Sequence, residues 1–491
     1  MKKFILSIDQ GTTGTTALLI DIESHKILGQ HNTEFKQIFP KSGWVEHDLE
    51  DIWSSLKCSI EKLFEKTKIA PEQIISIGIT NQRETTCAYT KDGSPLANAI
   101  VWQDRRTSEF CASKKESYSN LKKFTGLPLD PYFSATKMNW LLKNNDKVKE
   151  AAQNNDLCLS TIDTFLLYRL TKSTSFKTEA SNASRTLLMD LETCQWKNEL
   201  LDFFDIKKDF LPVICDSFEN FGKTSGLNFL PDGIEINCIL GDQQAALFGQ
   251  GGNQKGDLKC TYGTGAFILL NTGNEIEYSK NELLTTVAYR HKGQAIYALE
   301  GATYIAGAAV QWIRDNLKLI DKASDIEKEA LKADIENMNE LFFFPFFTGI
   351  GSPYWNSEAR GAIIGLTRAT TDSEIMRACL EGIALSVNDS IKALMSDVNF
   401  DVNNIMVDGG ASQNNLLMQI QSNFSDCIIT RPKVIETTGY GVALGALIGS
   451  GKISLSEIKS LWSKDCDFNP IKQNYYEAKK KLWKTNISKL F

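Results

Sequence analysis

The chain has 491 residues, enough for roughly three cores of about 150 residues, and its 42% hydrophobic, 23% charged and 10% aromatic content is that of an ordinary globular enzyme. A net charge of −6 gives no electrostatic footprint for nucleic acid or an anionic membrane. Eleven cysteines without a C-x-x-C pair and four scattered histidines argue against structural zinc, and the odd cysteine count points to a reducing cytoplasm.

In chain order, Phe4–Ile8 reads as a short buried strand, too short for a secretion signal. Asp9-Gln10-Gly11-Thr12-Thr13-Gly14 follows it as a turn, and Ala17–Ile20 resumes a strand. Asp48 is placed to cap a helix carrying Ile52, Leu56, Ile60 and Leu63 on one face. Asn81–Thr86 puts six polar residues directly after the strand Ile75–Ile79. Gly241-Asp242 follows the strand residues Ile239 and Leu240.

Leu258–Thr261, Tyr262-Gly263-Thr264-Gly265 and Ala266–Leu270 then repeat the strand–glycine/threonine–strand pattern, which suggests an internal duplication dividing near 245–255. Ile305–Ile313 is apolar nearly all round and predicts a buried helix. Thr371 and Glu374 form a capping box before Ile375, Cys379, Ile383, Val387 and Ile391. Asp408-Gly409-Gly410 links a strand to a helix beginning near Asn414. Gly439–Gly445 opens a small-residue helix suited to close packing. The Lys479–Lys484 segment, with Leu482, Trp483 and Ile487, predicts a surface helix with one buried face. The longest apolar stretches, Leu341–Phe347 and Val442–Ile448, are too short to span a bilayer. Strands alternate with helices, favouring α/β layering.

Several of these runs can carry chemistry, each beside a plainer reading. Glycine and threonine at a hairpin tip can offer N–H and O–H donors to phosphate, and Asp9 there can hold Mg²⁺, or the turn can be only a turn. The Walker pattern is absent, which excludes the usual P-loop. Asp242 can accept a hydroxyl proton or cap a helix. Arg83 and Glu84 can bind polyol hydroxyls or pair with each other at a sheet edge. Trp102 can wall a ligand or sit in the core.

Taken together and in this order, the runs resemble the glycerol kinases within the FGGY carbohydrate kinases. The likeness rests on Asp9–Thr13, Gly43–Asp48, Gly78–Thr86 (GITNQRETT), Asn98–Gln103, Asp130–Ser134, Asn182–Thr186, Gly241–Gln250 (GDQQAALFGQ), Tyr262–Gly265 and Val407–Gly410. It extends from residue 3 to about 450. The resemblance implies an α/β fold of two actin-like ATPase (ribonuclease H-like) domains, residues 1–249 and 250–491, with a catalytic cleft between them. It implies that Arg83, Glu84, Tyr132, Asp242 and Gln243 bind glycerol hydroxyls while Trp102 and Phe267 pack on its carbon edge. Thr12, Thr13, Gly14 and Thr264 would hold ATP phosphates, and Gly307, Gln311, Gly410 and Asn414 would line the nucleotide pocket. Asp9 would sit on Mg²⁺, with Asp242 as general base and, directly or through water, a second metal contact.

The same resemblance implies a cytoplasmic homodimer or homotetramer without nucleic-acid or membrane partners. Alternatives are a pentulose or erythritol kinase of the same superfamily, or a non-catalytic actin-like nucleotide switch. The chain departs from the family pattern at Thr16, where arginine is usual, at Ala135 in place of glycine, and at Gly439-Tyr440-Gly441. Gly226–Gly233 lacks both the loop that resembles a fructose-bisphosphate site and any histidine, so neither form of control known in relatives is expected.

Overall fold

The expected N-terminal hairpin forms between β1 (Phe4–Gln10) and β2 (Gly14–Asp21) in the computed structural model, which describes residues 3–114, 120–356 and 358–491. Strand β1 runs two residues further than its apolar run, so Asp9 and Gln10 lie on the strand and only Gly11–Thr13 make the turn. Ile5, Leu6 and Ile8 are fully buried because β1 is central, with layers on both faces. Strand β3 (Ile27–Glu34) pairs antiparallel with β2 and alternates between more and less exposed positions, as an edge strand facing water on one side does.

Parallel to β1 runs β4 (Ile74–Asn81), followed across the sheet by β5 (Gly222–Lys223) and β6 (Glu235–Gly241), giving the order β5-β6-β4-β1-β2-β3. The second half repeats this plan. Strands β7 (Leu258–Tyr262), β8 (Ala266–Gly273), β9 (Leu284–His291), β10 (Gln294–Thr303), β11 (Asn404–Asp408), β12 (Ile428–Pro432) and β13 (Lys464–Phe468) form a sheet ordered β9-β10-β8-β7-β11-β12-β13. In each sheet an antiparallel hairpin (β1–β2, β7–β8) lies beside parallel strands (β4 and β6, β11 and β12). The duplication read from two short turns therefore extends to whole-sheet topology.

The register sets the site. Asp9 lies opposite Thr80, Gln10 opposite Asn81, and Asn81 opposite Gly241. Three parallel strands thus end at one level, where ligand crevices of α/β sheets form.

Helix α1 (Leu49–Thr67) is capped by Asp48, whose carboxylate accepts from the Glu50 N–H at 2.8 Å, and it buries Ile52, Leu56, Ile60 and Leu63 completely. Helix α2 (Asp242–Gly249) follows β6 directly. The helix expected over Ile305–Ile313 is shorter. It starts at Gly307 as α3 (Gly307–Trp312) and widens into a π-turn over Ile313–Leu317, and its Gln311 is exposed. Helix α4 (Asp372–Asp397) carries the Thr371–Glu374 capping box, at 2.8 and 3.3 Å, and buries Cys379, Ile383, Val387 and Ile391, while Ile375 in its first turn is half-buried. Helix α5 (Asn415–Ser425) is capped by Asn414.

Helix α6 (Thr437–Gly449) belongs to the second half in sequence but packs on α2 and on strands β1, β4 and β6 of the first sheet. The crossing is possible only because it is lined by glycine. A Cβ at Gly441 would lie 2.0 Å from the Ala245 carbonyl oxygen, and one at Gly249 would lie 2.0 Å from that of Thr437. The terminal helix α7 (Asn474–Leu490) buries Trp483 and Ile487 as expected, and also buries Lys479, whose ammonium donates to the Leu341 carbonyl. Among the described residues no helix is long and apolar enough to cross a membrane.

Candidate active site

At the end of β4 the chain leaves the sheet through Gln82 and Arg83, and Glu84 takes a left-handed conformation with φ of 60°. Arg83 and Glu84 are almost fully buried, yet they are not simply each other's partner, since their closest contact is 4.0 Å. Arg83 instead donates to both carboxylate oxygens of Glu300 on β10, at 2.6 and 2.9 Å, and its Nε lies 3.1 Å from Asp242. Arg185, fully buried, donates from Nε to Glu84 at 2.5 Å and from Nη2 to Glu300 at 3.1 Å.

Two guanidiniums and two carboxylates are thus interlocked below the cleft. Burial alone would raise the Glu300 carboxyl, but Arg185 and Arg83 outweigh it and hold Glu300 well below the usual carboxylate range. Burial pushes Glu84 the other way, upward, with Arg185 and Arg83 only partly offsetting it. Such a network adds little net stability over apolar packing, because desolvation offsets attraction. Its effect here is to fix where Arg83 and Glu84 point.

Asp242 is the first residue of α2, and the capping position belongs to Gly241. The carboxylate therefore does not serve as the cap. It accepts from the Gln243 N–H at 2.7 Å, faces Arg83, and keeps about a third of its surface (30%) open to the cleft. Next to it, the Gln243 side-chain oxygen accepts from the buried Lys259 ammonium at 2.5 Å. Lysine can only donate, so the Gln243 amide NH₂ is left as the group available to a ligand oxygen.

The aromatic residues named from the sequence do meet. Trp102 makes edge contacts with Tyr132 (ring centroids 5.6 Å apart) and with Phe267 on β8 (6.4 Å). Tyr132 is held from behind, since the buried Lys137 donates to its carbonyl at 2.6 Å. The indole N–H of Trp102 reaches Thr12 in the first turn at 3.0 Å. The aromatic cluster and the first glycine/threonine turn are thereby joined directly.

The two glycine/threonine turns are built alike. The Gly11 N–H donates to the Gly14 carbonyl, and the Gly263 N–H to the Gly265 carbonyl, each at 2.9 Å. Gly14 lies buried behind the first turn, while Thr13, Gly263 and Thr264 are exposed. Beside the second turn is a cavity of about 420 Å³ lined by Thr264, Gly307, Gln311, Gly410 and Asn414 among others. Three separate stretches of sequence, around 264, 307–311 and 410–414, are thus brought to one pocket. Asn414 also has a structural task there, since its oxygen accepts from the Leu417 N–H at 2.9 Å. Thr16 is met by the Asn32 side chain, which donates to its hydroxyl at 2.9 Å across β2 and β3.

Asp9 lies at the end of β1, and burial together with the nearby carboxylates of Asp242 and Glu436 pushes it up to about 8. The shift comes first from burial and then from the neighbouring acids, and carboxylate oxygens of this kind are donors that suit a hard divalent cation. Among the described residues no three His, Cys, Asp or Glu side chains form a metal cage. Mg²⁺ suits such a place, because it keeps several waters and takes phosphate oxygens beside one or two carboxylates.

Sequence reasoning did not assign Arg185, Glu300 or Lys259 to the site. Arg185 was visible within the run Asn182–Thr186, and Glu300 as a lone acid in the otherwise apolar Tyr297–Ala302 stretch.

Residues 4–249 match the N-terminal domain of the FGGY family of carbohydrate kinases, and residues 258–450 match its C-terminal domain. The chain is 48% identical to glycerol kinase from Bdellovibrio bacteriovorus over 475 residues, covering 95% of each. It is 44% identical to glycerol kinase from Staphylococcus haemolyticus, covering 99% of this chain and 97% of the other. Among solved structures, Plasmodium falciparum glycerol kinase with ADP superimposes with a TM-score of 0.91 at 36% identity, covering 99% and 98% of the two chains. A Lactobacillus acidophilus gluconate kinase at 23% identity and a TM-score of 0.87 shares the fold alone.

Proposed function

The chain belongs to the FGGY family of carbohydrate kinases, and from that premise we propose that it transfers the γ-phosphoryl group of ATP to glycerol, giving sn-glycerol 3-phosphate as the first step of glycerol catabolism. The observation that carries this reading is the convergence at the strand ends. The rings of Trp102, Tyr132 and Phe267 meet one another, Arg83 faces Asp242 at 3.1 Å, and the register brings the Asp9 strand end level with the loop that carries Arg83 and Glu84.

In this reading Arg83, Glu84, Tyr132 and Gln243 hold the hydroxyls, and the aromatic rings cover the carbon edge. Asp242 takes the proton of the attacking hydroxyl as general base. Arg83, with its Nε 3.1 Å from Asp242, fixes where that carboxylate points. Thr12, Thr13 and Thr264 hold the phosphates from the two turns, Gly14 closes the first turn from behind, and Gly307, Gln311, Gly410 and Asn414 line the nucleotide pocket. Phosphoryl transfer needs little covalent help from the protein beyond positioning and charge neutralisation, and these groups supply both. Asp9, with Asp242 directly or through water, would hold Mg²⁺, which when bound neutralises phosphate charge. The division of labour is polyol and first turn on residues 1–249, nucleotide on 250–491. Resemblance to the family further implies a cytoplasmic homodimer or homotetramer, which sedimentation and cell fractionation would test.

Glycerol is favoured over a pentulose by the relatives named above and by the cluster of three rings, Trp102, Tyr132 and Phe267, which suits the carbon edge of a small triol. A panel of glycerol, xylulose, ribulose and erythritol with ATP tests the choice. The expected outcome is the highest kcat/KM for glycerol. Higher kcat/KM for a pentulose would overturn it.

A further inference from the structure

His47 has no part in the site described so far, yet it closes a ring of hydrogen bonds that joins the polyol wall to the first phosphate turn. The ring begins at Trp102. Its indole N–H donates to the Thr12 hydroxyl at 3.0 Å, and its backbone N–H donates to the Thr85 hydroxyl at 3.3 Å. Thr85 donates on to Gln82 Oε1 at 2.9 Å. The Gln82 NH₂ is shared among Gln10 Oε1 at 3.1 Å, the Gly11 carbonyl at 3.3 Å and His47 Nδ1 at 3.3 Å. His47 Nε2 meets Gln37 Oε1 at 2.7 Å, and Gln37 Nε2 donates to the Thr12 carbonyl at 3.0 Å.

The polarity of the ring is determined by its ends. Gln37 must present its oxygen to His47, because its NH₂ is spent on the carbonyls of Thr12 and Phe35. His47 Nε2 therefore carries the hydrogen, and Nδ1 accepts from Gln82. His47 is fully buried, and burial pushes its imidazole down to about 4, so it is neutral near pH 7. A second ring proton would face the Gln82 NH₂, donor against donor. The Trp102 indole N–H can only donate, so the Thr12 hydroxyl oxygen accepts from it, while the Gln37 NH₂ that His47 orients holds the Thr12 carbonyl. The hydrogen of the Thr12 hydroxyl is then left to donate outward, as a phosphate oxygen requires.

We propose that His47 is a positioning residue for phosphoryl transfer, holding Thr12 in its donating orientation and coupling nucleotide binding to occupancy of the polyol pocket. The inference rests on the kinase reading above. It is tested on the full chain with His47→Leu, which removes both ring contacts, and His47→Gln, which keeps one donor and one acceptor. The measurements are KM for ATP and for glycerol, kcat, and ADP affinity with and without glycerol. His47→Leu should raise KM for ATP about tenfold, the equivalent of one or two lost hydrogen bonds, and should abolish the effect of glycerol on ADP affinity. KM for glycerol should change by less than about threefold, and His47→Gln should restore most of the loss. If His47→Leu does not fold, Gln37→Leu cuts the same ring at its next bond and should give the same pattern. Unchanged KM for ATP and unchanged glycerol–ADP coupling in a folded variant would overturn the proposal. Wild-type protein without polyol-dependent ADP formation would instead remove the kinase reading on which it stands.

Discussion

Glu300 grips Arg83 with both carboxylate oxygens, at 2.6 and 2.9 Å, across 217 residues of sequence. The pair ties strand β10 of the second half to the loop that follows β4 in the first. Replacing Glu300 by Gln leaves two buried guanidiniums sharing one fewer negative charge. Breaking one partner of a buried pair costs about 3–5 kcal/mol, so Glu300→Gln should lose that much in urea unfolding and raise KM for glycerol. A loss below about 1 kcal/mol, the scale of a surface pair, would show that the network is not tightly coupled.

The α2–α6 crossing is expected to be equally intolerant. In Gly441→Ala the new methyl would sit 2.0 Å from the Ala245 carbonyl oxygen, on backbone that cannot rotate away. Overpacking costs typically about 1–3 kcal/mol and more where backbone must move. Denaturant unfolding should place this variant at or above the top of that range. An unaltered midpoint would mean that the two helices can separate freely.

Asp389 on α4 gives a pH dependence. Its carboxylate accepts from the Trp483 indole at 2.7 Å and the Tyr354 hydroxyl at 3.1 Å, and burial pushes its pKa up to about 6, with these donors and Lys484 opposing. A raised acid binds its proton more tightly folded than unfolded. Stability therefore falls as pH rises from about 4 to about 6, and the loss is complete above that window. At about 1.4 kcal/mol per unit, the loss at neutral pH approaches about 3 kcal/mol. Asp389→Asn should remove it and raise Tm at pH 7, while flattening the Tm profile between pH 4 and 6. Parallel profiles for the two proteins would contradict this.

Asp242→Asn tests the base. The variant keeps its shape and its place at the start of α2, so glycerol should still bind, while kcat falls about 10²–10⁴-fold. Isothermal titration with glycerol and single-turnover kinetics separate the two effects. Near-normal turnover would remove Asp242 from that role.

Much of this architecture was legible because its signals are local. The Asp48 cap, the Thr371–Glu374 box and the paired glycine/threonine turns each occupy a few consecutive residues, and each forms as read. The boundary at Asp242 was ambiguous by one residue, since Asp often caps helices; a glycine ahead of it took the cap instead. The helix at Ile305–Ile313 was overextended because periodicity cannot see that Gly307 must pack on the Gly263 carbonyl, where a Cβ would lie 2.7 Å away. Arg185 and Glu300 escaped assignment for a different reason. Their partners are more than 100 residues away, and no spacing rule relates them. At Thr16 the hydroxyl accepts from the neutral Asn32 side chain across β2 and β3.

The central claim is that phosphoryl transfer from ATP requires glycerol in the pocket beside Asp242. The most direct measurement is ADP formation by the full chain with ATP and Mg²⁺, with and without glycerol, with glycerol 3-phosphate quantified in the same samples. The account predicts that ADP appears with glycerol, in equal amount to glycerol 3-phosphate, and only slowly without it. ADP formation at the same rate with and without glycerol, with no phosphorylated product, would contradict it.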